Sequence, residues 1–139
     1  MYHYKTGTRD VDWWQLYYLY EKVGLARDLA RSGEFDKLRA SFEASYLVAT
    51  AWHGGDLVGA ARMISDGICY GMIFDVAVLA EHRQKGVGKG LMTELIKDNG
   101  HLCIYLTSTF GNEKFYEKLG FKRHKTAYGL YPHSSRYLE

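Results

Sequence analysis

The chain has 139 residues, 47% of them hydrophobic and 24% charged, enough to bury roughly two thirds of the surface its unfolded form exposes. No apolar run approaches the ~20 residues of a membrane-spanning helix, and the first five residues lack the charged-then-apolar order of a secretion signal, so the expected setting is cytoplasmic, with no membrane partner. The net charge of +2 is too small for bulk capture of nucleic acid, so any phosphate recognition has to be local.

One proline and no repeat or low-complexity stretch leave nothing that marks a linker, so residues 1–139 read as a single domain. An edge strand is expected over residues 2–5. Asp12 then caps a helix in which Trp13, Leu16, Tyr17 and Tyr20 recur at helical spacing and form one buried stripe. A second helical pattern, with Phe35, Leu38 and Phe42, follows a Ser32-Gly33 start signal and ends near Ser45. From there the period shortens. Residues 46–53, 57–64 and 68–78 read as strands joined through Gly54-Gly55-Asp56 and Ser65-Asp66-Gly67, an antiparallel meander in which Asp66 serves turn chemistry. A glycine-rich loop at 83–90 opens a helix over 88–99, closed by Gly100. A strand at 102–106, a short helix at 113–119 and two terminal strands near 121–124 and 127–131 complete the order. This mixture of strands and helices predicts an α+β or mixed α/β sheet. Cys69 and Cys103 lie inside apolar runs without a second ligand at zinc-finger spacing, and they read as two buried thiols with no metal role.

The chemistry concentrates where the strand Asp75-Val76-Ala77-Val78 runs toward Arg83-Gln84-Lys85-Gly86-Val87-Gly88-Lys89. The first N–H groups of a helix have no intrahelical partner, peptide dipoles leave positive charge there, and glycines let a phosphate approach the backbone. Arg83, Lys85 and Lys89 add formal charge at the same end, which suits a pyrophosphate. A magnesium-nucleotide loop is disfavoured, because Gly88-Lys89 is followed by Gly90 and not by a hydroxyl residue. A dinucleotide fingerprint is incomplete, since Leu91 stands where its third glycine would be.

Arg83-Gln84-Lys85-Gly86-Val87-Gly88 resembles the Arg/Gln-x-x-Gly-x-Gly/Ala signature of the GNAT superfamily, the Gcn5-related N-acetyltransferases. Downstream, Phe115-Tyr116-Glu117-Lys118-Leu119-Gly120-Phe121 is similar to a second segment of that family, in the right order and at about the right distance. Tyr20-Glu21-Lys22-Val23-Gly24 and Arg62-Met63-Ile64-Ser65-Asp66-Gly67 further resemble a bacterial subgroup related to plastid serotonin-type acetyltransferases. The resemblance implies a mixed, mostly antiparallel sheet of about seven strands, flanked by helices and splayed at the cofactor site. It implies acetyl-CoA as cosubstrate, with its pantetheine arm beside the backbone of Val76, Ala77 and Val78 and its pyrophosphate on the N–H groups of Gln84, Lys85, Gly86, Val87, Gly88 and Lys89. Arg83 would support the loop or touch the phosphates. Tyr116 matches the position where many members place a tyrosine near the sulfur, and it would protonate the departing thiolate or merely order the cofactor. Asparagine is common seven residues before that tyrosine, whereas this chain has Thr109 there, and Asn112 cannot be equated with it.

An acceptor amine must lose a proton before attack. Asp75, a carboxylate inside an apolar strand, is the candidate base, the alternative being a side chain hydrogen-bonded to a neighbouring element. Glu81 and His82 read as surface residues of the loop. The acceptor, a small-molecule or protein amine, would be chosen by residues 13–44, where Trp13, Trp14, Tyr17 and Tyr18 are either core or an aromatic wall. A homodimer is an open expectation, since many family members pair. The rival readings are a noncatalytic acyl-CoA sensor and a nucleic-acid module using Lys122-Arg123-His124-Lys125.

Overall fold

The computed structural model describes residues 1–24 and 34–139, which fall into two compact units, Met1–Thr107 and Ser108–Glu139. The first unit holds a five-stranded sheet in the order β1-β2-β3-β4-β5: β1 (His3–Thr6), β2 (Leu47–His53), β3 (Asp56–Ser65), β4 (Tyr70–Val78) and β5 (Cys103–Leu106). The first four strands are antiparallel neighbours, and β5 joins β4 in parallel. A parallel neighbour needs a crossover, and α3 (Val87–Ile96) supplies it.

Helix α1 (Trp13–Val23) starts at Asp12, whose side chain accepts the Gln15 N–H, and stops at Gly24, whose left-handed φ of 77° ends the helical path. Gln15 also ties the helix to the β2–β3 turn, accepting from Leu57 N–H at 2.8 Å and donating to Gly55 O at 3.1 Å. With α2 (Phe35–Glu43), α1 covers one face of the sheet. Leu16, Leu19, Tyr20, Leu38 and Phe42 pack there against Val48, Trp52, Ala60 and Ala77. Successive strand residues point to opposite faces, and Gly59, next to Ala60, faces Val87 and Leu91 of α3. A methyl group on Gly59 would press on these two side chains and on the Ala77 carbonyl, so α3 seats closely because position 59 has no Cβ.

Several expectations need correction. Among the described residues the sheet has five strands where about seven were expected, and residues 121–124 and 127–131 are coil. The second of these stretches is exposed throughout, and the charged run Lys122-Arg123-His124-Lys125 lies on the surface. The buried positions of α1 are Leu16, Leu19 and Tyr20, while Trp13 and Tyr17 are only half-buried. The core thus meets the helix slightly to one side of the aromatic stripe. Helix α3 begins at Val87 with Gly86 as its cap, and its last helical residue is Ile96. Cys69 and Cys103 are exposed free thiols: Cys69 lies in the bend before β4, and Cys103 occupies an outward position of β5. The Ser32-Gly33 start signal lies outside the described residues. In the second unit, α4 (Glu113–Lys118) forms where the short helix was expected.

Candidate active site

The sheet opens at β4. Strand β5 pairs only with Tyr70 through Ile73, so among the described residues the following half of β4 has a strand neighbour on the β3 side alone. Leu79 N–H donates to Val58 O at 2.9 Å, toward β3, so Val78, one residue earlier, turns its own N–H and C=O to the open edge. The strand is also kinked there. Between the pairs Ala60↔Ala77 and Arg62↔Phe74, Asp75 and Val76 stand opposite the single Ala61, which makes a β-bulge. Asp75 has φ 59°, a left-handed conformation that few non-glycine residues adopt inside a strand.

The open edge leads through a short 3-10 turn (Ala80–His82) into the glycine loop. Arg83 folds back and its Nε donates to Val78 O at 3.2 Å, so this arginine ties the loop to the end of β4. Gln84 (φ 61°) and Gly86 (φ 83°) are left-handed on either side of Lys85, an alternation that curls the backbone into a concave run. The first intrahelical bond of α3 is Gly90 N–H to Gly86 O at 3.0 Å, and Gly86 offers no side-chain cap. The N–H groups of Val87, Gly88 and Lys89 are therefore the orphan donors of this helix. Val87 is buried and anchors the turn, whereas Lys85 and Lys89 are exposed beside it.

The Asp75 carboxylate is not free. Arg62 Nε donates to its Oδ2 at 2.8 Å, and both side chains are largely buried, 9% and 14% exposed. Its carbonyl accepts the hydroxyl proton of Tyr20, a wholly buried residue whose phenol is pushed well up by desolvation and by the nearby Asp75 charge. Sequence reasoning passed over Arg62 and Tyr20 as site residues. The available signal was a lone arginine within the apolar run of β3.

Tyr116 lies in α4, half-buried, with its ring edge-on to Phe115 and Phe121 at centroid distances of 5.0 and 6.0 Å. Burial raises its phenol above the usual range. Asn112, the residue before α4, donates to Thr109 Oγ1 at 2.6 Å. Glu81 is exposed, and His82 Nδ1 lies 2.9 Å from the Tyr2 hydroxyl. Asp66 accepts from the N–H groups of Ile68, Cys69 and Tyr70, a turn role that holds its carboxyl below the usual range. Trp14 is exposed and stacks on Phe35 at 4.3 Å, while Trp13 packs against the core. Among the described residues no group of three His, Cys, Asp or Glu side chains could hold a metal ion.

A family model for the acetyltransferase (GNAT) domain matches residues 43–123, a span from the end of α2 through the open strand and the glycine loop to Tyr116. The chain belongs to the GNAT acetyltransferase family. A histone acetyltransferase from Glycine max is 33% identical over 129 residues, covering 81% of this chain and 53% of that protein. A chloroplastic Gcn5-related N-acetyltransferase from Arabidopsis thaliana is 30% identical over 138 residues, covering 81% and 51%. The chain spans about half the length of these two curated relatives. A GNAT family protein from Streptococcus pneumoniae superposes with a TM-score of 0.80 at 22% identity, over 97% of this chain and all of that one, and so shares the mixed α+β fold. Among the described residues no helix is long and apolar enough to cross a membrane.

Proposed function

We propose that this chain transfers an acetyl group directly from acetyl-CoA to a primary amine. The observation that carries the reading is the continuity of the open half of β4 with the uncapped N-terminus of α3. Such an edge suits an extended amide-bearing arm, and such a helix start suits a pyrophosphate. The backbone of Val76, Ala77 and Val78 would flank the arm. The N–H groups of residues 84–89 would hold the phosphates, with Lys85 and Lys89 supplying charge and Arg83 holding the loop closed on β4.

Transfer needs a donor for the charge that develops on the acetyl carbonyl oxygen, and a backbone N–H at the bulge is the fixed donor proposed here. Tyr116 is the proposed acid for the departing thiolate. A phenol raised by burial stays protonated at neutral pH, the state in which it can give a proton. Acetyl-CoA is the cosubstrate, and the acceptor is a small-molecule or protein amine.

Thermal unfolding with acetyl-CoA, with ATP and NAD as phosphate-bearing controls, tests the reading. At 100 times the dissociation constant, a ligand of the native state adds about 2.7 kcal/mol, a shift of several degrees for a domain of this size. A selective shift with acetyl-CoA is expected, and an equal shift with ATP or NAD would refute the assignment. Gly88→Glu sharpens it. Gly88 is in α3 without a left-handed φ, and an acidic side chain suits the first turn of a helix, so the fold should survive. The same carboxylate would repel a pyrophosphate, so the variant should unfold at or above the wild-type temperature but lose the acetyl-CoA shift.

A further inference from the structure

The middle of β4 holds a residue in a conformation that glycine adopts freely and aspartate does not, and the fold holds it at both ends. The Asp75 carbonyl accepts from the Tyr20 hydroxyl and its carboxylate accepts from Arg62 Nε. Arg62 is itself fixed. Its Nη1 reaches Ser41 O at 3.4 Å and Ser45 Oγ at 3.5 Å, and its guanidinium lies over the Phe42 and Phe74 rings at 5.5 and 5.6 Å from their centroids. Two side chains thus fix Asp75, Tyr20 of α1 at its carbonyl and Arg62 of β3 at its carboxylate, and Arg62 is in turn held by the end of α2. A turn that merely needed φ above zero would be served by glycine without any partner. An over-determined outlier placed where a strand loses its neighbour is the pattern expected of a shaped binding site.

We propose that Tyr20, Arg62 and Asp75 form a latch that sets the β4 bulge in the one shape that presents a backbone N–H to the acetyl carbonyl, and that Asp75 is a positioning residue and not the base. The inference rests on the acetyl-CoA reading above and adds residues to it. The pyrophosphate loop lies beyond the bulge, at residues 83–89, so loss of the latch should spare the grip on CoA and weaken the grip on the acetyl group.

The test compares CoA with acetyl-CoA carrying ¹³C at the acetyl carbonyl, using calorimetric affinities and the carbonyl resonance of the bound thioester. Wild type should prefer acetyl-CoA and show a downfield carbonyl shift from the hydrogen bond. Asp75→Gly permits the same φ but lacks the carboxylate that Arg62 holds. With the carboxylate arm lost and only the carbonyl held by Tyr20, it should bind CoA within about twofold of wild type, bind acetyl-CoA about tenfold more weakly, the loss of one hydrogen bond, and return the carbonyl toward its free position. Asp75→Asn tolerates the left-handed conformation and can still accept from Arg62, so it should stay close to wild type on both measures. Tyr20→Phe, which removes a single hydroxyl, carries the same expectation as Asp75→Gly should that variant fail to fold. Wild-type discrimination retained in Asp75→Gly and Tyr20→Phe would overturn the latch, as would an asparagine variant as weak as the glycine one, because charge and not shape would then be decisive. A wild type that binds CoA without an acetyl preference or carbonyl shift overturns this inference alone. A wild type that does not bind CoA removes the acetyl-CoA reading, and the latch with it.

Discussion

Gly90 shows how a residue that looks like part of a ligand motif can be there for packing. It follows Gly86 and Gly88 in sequence, yet a Cβ built on it would run into the Tyr4 ring of β1. Alanine would gain about 1 kcal/mol of helix propensity, whereas forcing atoms into a filled contact costs about 1–3 kcal/mol. Gly90→Ala should therefore unfold at lower urea than wild type while keeping the acetyl-CoA shift, and Tyr4→Ala in the same chain should restore part of the stability. A midpoint that rises would show the Tyr4 ring swinging aside at little cost. Asp75 is the converse case. Its place in an apolar strand flagged it correctly as unusual, but whether the carboxylate was free or paired depended on Arg62, thirteen positions earlier and adjacent only through β3–β4 pairing. The two cysteines were misread for a related reason. An apolar neighbourhood in sequence does not reveal which face a strand residue takes, and Cys103 faces out while Leu102 is buried.

Elements governed by local rules were readable in advance. The cap at Asp12 and the short strand-like runs of β2, β3 and β4 depend on neighbours a few residues away. The Asp12 cap also gives a pH prediction. Hydrogen bonds from the Gln15 side chain and then its backbone N–H hold the Asp12 carboxyl below its ordinary value. Because the folded-state value is the lower one, the added stability is present above the ordinary carboxylate range and is lost as pH falls through the folded value. Asp12→Ala should cost about 1 kcal/mol at pH 7, the usual worth of an N-cap, and the gap from wild type should narrow as pH falls below the ordinary carboxylate range. A gap independent of pH would mean that the carboxylate charge adds nothing to the cap. Element ends were read less well, as at α3, because Gly86 and Gly88 are both plausible openings until the φ of Gly86 is known.

Across the whole molecule, burial is uneven. Among the described residues the buried apolar side chains lie in the sheet, in α1, α2 and α3 and at Leu102 just before β5; from Ser108 to Glu139 every residue is exposed or half-buried. Backbone hydrogen bonds with little apolar cover open at low free energy. Amides of β2, β3 and β4 should consequently resist hydrogen exchange far longer than those of residues 108–139, read segment by segment by mass spectrometry. Equal protection in both units would refute this division of stability. The class of fold and the glycine loop ahead of α3 were open to sequence reading because they are written in periodicity, glycine placement and adjacent motifs, all short-range signals. The splay of β4, the bulge at Asp75 and its hold by Tyr20 and Arg62 were decided by tertiary structure, because each joins residues 13 to 55 positions apart that only strand register and helix packing bring into reach.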